Sequence, residues 1–225
     1  MKISFEKSLV SIGTKQYQVL KPIIDLSNLY VVQVKEHNHI IFGNENSLEI
    51  LANLFEYSSN NPNSIIYLNT KSSMLTEYLS ECWSNIQKSF DLVILHHSIQ
   101  LKIHEWKQIR ALRLKAMKSH TDTFIEFRNS TRNDSEYHYR EHKDFLDIND
   151  RFETLFLVGS NRVFMDIALD TVSIRENGRE LFLKFPGFHD HEHIDYYARK
   201  EYTKNYKYEG HFLCIDFYDR ELWKR

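Results

Sequence analysis

Little in this chain marks a special class of protein. Its 225 residues include only six Gly and three Pro, too few for a loop-rich, collagenous or low-complexity chain. Two cysteines, Cys82 and Cys214, cannot build a secreted disulfide framework; reduced thiols in a cytosol are expected. No apolar run approaches the ~18 residues of a membrane span, and "MKISFEKSLV" has no uninterrupted apolar core of a signal peptide. A formal charge of -2 supplies no global basic field, which argues against a nucleic-acid partner. No Gly-x-Ser-x-Gly elbow, phosphate-cradling Gly-rich loop or His-Glu-x-x-His helix occurs, and neither cysteine has a Cys-x-x-Cys partner.

What is present is an ordinary globular composition, 42% hydrophobic and 27% charged, rich in Tyr and Phe. Two segments, 40–68 and 155–183, align without a gap. Gly43 falls on Gly159, and Asn44 on Ser160. Leu48, Leu51 and Ala52 fall on Phe164, Ile167 and Ala168, and Asn61-Pro62 on Asn177-Gly178. Each segment reads as a short buried strand ending at Gly, a capped helix with one apolar face, a helix stop and a second strand. A parallel crossover is one way to pair the strands. Each unit is expected to close with a further strand, 91–97 and 211–218.

The fold class is therefore α/β (α+β), with two similar strand-helix-strand units that an internal duplication would explain. The divisions are 1–100 for the first unit, 101–149 for a helical connector and polar linker, and 150–225 for the second unit. The connector places Ile103, Trp106, Ile109, Leu112 and Leu114 at near-helical spacing among six Lys and Arg. Its basic side is either a contact for an anionic partner or a solvated face opposite a core stripe. The polar stretch 128–144 reads as linker or surface loop.

One stretch stands out chemically: "HDHEH", residues 189–193. If extended, it puts His189, His191 and His193 on one face and Asp190 and Glu192 on the other. Same-face residues lie about 6.6–6.8 Å apart along a strand, so three from one strand seldom close on a single ion. No tight metal site and no cofactor are expected. Were a metal held, the ligands would come from His189, His191, His193 and His211, and the chain would be a metal-dependent hydrolase or nuclease.

The pattern "IIFGNENSLEILANLFEYSS" followed by a strand resembles the small α/β immunity proteins of bacterial polymorphic toxin systems. The resemblance covers residues 29–97 and, more loosely, 153–218. It implies a cytoplasmic, non-enzymatic protein that neutralises a toxin-like protein by binding it, and it supplies no catalytic residues. A phage-defence or counter-defence adaptor is the other non-enzymatic reading. The expected partner surface lies on the second unit: Asp190, Glu192, Tyr196, Tyr197, Arg199, Tyr202, Asp219 and Trp223. Aromatic anchors there would supply binding energy and the charges would guide encounter. The alternative is that several of these rings simply cover a sheet. Oligomeric state is not readable from the sequence.

Overall fold

The computed structural model describes residues 1–83, 85–125, 144–185, 189–198 and 212–223, with Cys82 described in its backbone alone. The chain opens with a hairpin, β1 (Lys2–Ile12) and β2 (Lys15–Pro22), turning at Gly13 with φ +58°. A second hairpin, β3 (Leu29–Lys35) and β4 (Asn38–Gly43), leads into α1 (Glu45–Asn60). Then come β5 (Ser64–Leu68), α2 (Glu77–Cys82), β6 (Lys88–Ser89) and β7 (Asp91–His96). The connector holds α3 (Trp106–Lys115) and β8 (Lys118–Phe124). The last part has β9 (Asp147–Arg151), β10 (Thr154–Gly159), α4 (Asn161–Lys184), β11 (His191–Glu192) and β12 (Phe212–Phe217).

Among the described residues the strands form two sheets. One has seven strands in the order β8-β1-β2-β5-β7-β10-β9, the other five in the order β11-β12-β4-β3-β6. α1 and α4 pack on each other, and each touches strands of both sheets. Leu48, Leu51, Phe55, Phe164, Ile167 and Ala168 belong to one buried cluster with Ile41, Ile215, Ile94 and Leu157 of the strands. α/β is thus the observed class. No described helix is long and apolar enough to cross a membrane.

The expected helix starts are in place. The Asn44 side chain accepts from the Ser47 amide at 2.9 Å, and the Ser160 hydroxyl accepts from the Val163 amide at 3.2 Å. Asn61 caps the end of α1, as the sequence suggests. Asn177-Gly178 does not end α4, which continues to Lys184 and makes 181–183 helical where a strand was expected. Gly178 serves closeness instead. A Cβ there would lie 2.4 Å from the Phe217 ring carbon Cγ, so only glycine lets α4 approach β12 this closely.

α1 and α4 also carry the chain between sheets and do not return it to the sheet it left. β4 lies in the five-stranded sheet and β5 in the seven-stranded one, while β10 and β11 make the opposite passage. The parallel neighbour of β10 is β7, and that of β4 is β12. Sheet pairing therefore runs across the divisions at 100 and 150. The counterpart of β5, which pairs antiparallel with β7, is β11, which pairs antiparallel with β12. The histidine stretch thus supplies an edge strand of the five-stranded sheet.

The connector helix is shorter than its spacing suggested. Trp106 and Ile109 are buried, but Leu114 is 69% exposed and residues 118–124 are strand. Its cations tie the connector to the seven-stranded sheet. Arg113 lies 3.4 Å from Glu6 and 4.8 Å from the Tyr67 ring, and Arg110 lies 3.8 Å from Asp91. Of the polar linker only Asp144 is described; it accepts from the Ser160 hydroxyl at 2.5 Å.

Candidate binding face

The outer side of the five-stranded sheet carries the chemistry that the sequence singled out. His191, Asp216, Phe42 and Tyr30 stand in one cross-strand row, set by the registers of β11, β12, β4 and β3. The rings of His189, His191 and His193 follow one another at 5.1 Å, on one side of the extended chain. Beneath them lies Asp216, only 2% exposed, with its carboxylate 2.9–3.0 Å from His189 Nδ1. That hydrogen bond holds the His189 pKa above the ordinary histidine value. Burial raises the Asp216 pKa, against the opposing pull of the His189 bond. Burial and the neighbouring Glu192 raise Asp190 as well. His193 lies 3.5 Å from the fully buried Asp195.

Among the described residues no three His, Cys, Asp or Glu side chains converge as a metal would require. His211 lies outside the described residues. Cys214, two residues before Asp216, is buried, and burial raises its pKa well above the usual thiol value. It is a protonated core thiol.

The expected partner surface divides. Tyr197 is fully buried, and its hydroxyl donates to Asp170 at 2.5 Å. Trp223 is 7% exposed and stacks on Phe182 with centroids 3.8 Å apart. Both rings pack the core, as the sheet-covering alternative has it. Asp190, Glu192, Tyr196 and Asp219 are half-buried. Asp219 accepts from the Glu221 amide at 2.8 Å and shapes the turn after β12. Arg199 and Tyr202 lie outside the described residues.

Beyond the carboxyl ends of the parallel pair β4 and β12, two depressions adjoin, a position where open sheets commonly offer a crevice. One, about 430 Å³, is lined by Thr76, Glu77, Tyr78, Glu81, Tyr218, Arg220 and Trp223. The other, about 420 Å³, includes Lys21, Asp25, Leu26, Met74 and again Arg220. Tyr78 stacks against Tyr218 at 6.2 Å, and the Tyr218 hydroxyl lies 2.5 Å from that of Thr76. Met74 is 87% exposed, and Ile23 beside the second depression is 51% exposed.

Ring contacts join this place to the histidines: His189 to Trp83 at 6.2 Å, Trp83 to Phe42 at 5.7 Å, Phe42 to Tyr218 at 6.3 Å. Tyr218 and Arg220 flank Asp219 of the expected partner surface, so they were within reach of sequence reasoning. Tyr78 and Met74 were not. They stand some 140 residues earlier, and only the parallel β4–β12 pairing brings them here. No protein-family model, curated protein or solved structure matches the chain.

Proposed function

We propose that this chain acts by binding a partner protein, as an immunity protein neutralises a toxin, and performs no chemistry of its own. The observation that carries the reading is the pair of adjoining depressions, with Arg220 between them, Tyr78 and Tyr218 in the wall and Met74 standing 87% exposed beside them. Tyr, Arg and Met are residue types that interfaces concentrate, and Tyr and Arg dominate binding hot spots. A long apolar side chain held in solvent gains nothing for the free monomer and gains burial when covered. The partner is toxin-like and the setting cytosolic in this reading. The shared order of strand pairings in 29–97 and 147–217 supports treating the two segments as copies of one ancestral unit.

The test is co-expression with the toxin-like product of an adjacent gene. Growth should be rescued by the wild-type chain. Arg220→Ala combined with Met74→Asp should weaken the purified complex by roughly 30-fold or more, the factor expected from losing hot-spot contacts. Circular dichroism of the variant should match wild type, because both side chains lie at the surface. Rescue that is indifferent to these changes would overturn the assignment of the face.

A further inference from the structure

We infer that a second cleft, sharing no wall residue with the two depressions, binds a phosphate monoester. A single residue, Phe90, separates β6 from β7, so the chain changes sheets at that point. The turn between β9 and β10 stands beside it. Together they enclose about 460 Å³, with Lys88, Ser89, Phe90, Arg151 and Phe152 among the walls.

The charge balance points to an anion. Two carboxylates line the cleft, and each already has a cation or a ring nitrogen beside it. Asp150 lies 3.0 Å from His39 Nε2, and Glu153 lies 2.6 Å from Lys71 Nζ. Lys71 is thereby occupied too. The side chains of Lys88 and Arg151 are exposed and make no ion pair among the described residues. Lys88 and Arg151 are thus wall cations without a carboxylate beside them among the described residues, one a compact ammonium and the other a planar fork suited to phosphate oxygens.

The backbone gives an independent sign. Phe152 and Glu153 have φ of +55° and +59°, the left-handed conformation that two-residue hairpin turns usually assign to Asn and Gly. Bulky L-residues are strained there, and such strain concentrates where a site needs particular side chains. Here it is held by three ties: the Asp91 amide donating to the Glu153 carbonyl at 3.0 Å, the Lys71–Glu153 pair, and Lys107 Nζ 4.5 Å from the Phe152 ring centre. Phe152 thereby takes a fixed place in the cleft wall, which Phe90 also borders. The volume exceeds that of a phosphate ion and leaves room for a group attached to it. The ligand is therefore a phosphate group carried on an organic body.

Calorimetric titration of the full chain with AMP, inorganic phosphate and adenosine tests this. AMP should saturate one site, inorganic phosphate should compete for it more weakly, and adenosine should not bind. Binding of phosphate without AMP would overturn the monoester and identify the free ion as the ligand. The double variant Lys88→Ala, Arg151→Ala should weaken AMP by about tenfold or more, as expected for lost charge-assisted bonds. Glu153→Gln frees Lys71 and should tighten it. Lys7→Ala, on β1 five strands away from β9, should leave it unchanged. Thermal unfolding checks that each variant is folded. Adenosine binding as well as AMP, no binding of either anion at millimolar concentration, or equal losses in Lys7→Ala and the double variant would each overturn the inference.

Discussion

At the residue scale, the contact of His189 with Asp216 links stability to pH. Both pKa values lie above their ordinary positions, His189 through the hydrogen bond and Asp216 through burial. Both groups therefore hold protons more tightly folded than unfolded. Their contribution is full below the unfolded values and is lost as pH rises through the folded ones. For His189 that window begins near pH 6.5 and extends upward. His96 works the other way, because burial lowers its pKa and its neutral form favours the fold. The difference between wild type and Asp216→Asn isolates the pair. Urea unfolding between pH 5 and 9 should show that difference falling as pH rises, with the steepest change above pH 6.5. A difference that grows with pH would refute this account of the pair.

At the scale of elements, α4 and β12 meet through Gly178 and Phe217. Alanine is a better helix former than glycine by about 1 kcal/mol, so an exposed site would gain from the change. Here the added methyl group would collide with a fully packed ring, since Phe217 is 1% exposed. Overpacking of this kind costs ~1–3 kcal/mol. Gly178→Ala should lower the urea midpoint, and Phe217→Leu in the same chain should recover part of the loss. If Gly178→Ala is stabilising, α4 does not lie this close to the sheet. β11 shows how an element can be short yet well defined. It pairs through only His191 and Glu192, but it takes the place beside β12 that the five-residue β5 takes beside β7.

At the scale of the molecule, the two sheets exchange strands. β7, from the first part, completes the sheet that β10 enters, and β12, from the last part, completes the sheet that β4 enters. A fragment ending at residue 125 would leave β4 without its parallel neighbour and expose the apolar side of α1 that packs on α4. That fragment and one of 144–225 should each lack cooperative thermal unfolding alone, and regain it together if they associate. Cooperative unfolding of either fragment alone would show that its half is self-sufficient.

The sequence by itself determined the class of fold, the starts of both long helices and the shared side of the three histidines. These follow from local chemistry: Asn44 and Ser160 as caps, apolar residues at helical spacing, alternation along an extended strand. Only the tertiary structure decided the rest. Asn177-Gly178 reads locally as a stop, but the helix continues far enough for Phe182 to stack on Trp223, and the glycine is needed for contact with Phe217. Tyr197 and Trp223 read as surface anchors because tyrosine and tryptophan suit a boundary and an interior equally; Asp170 and Phe182 draw them inside. The depressions and the cationic cleft are assembled from residues tens to more than a hundred positions apart. No local pattern encodes which strands become neighbours, because that is settled by burying all the apolar faces at once.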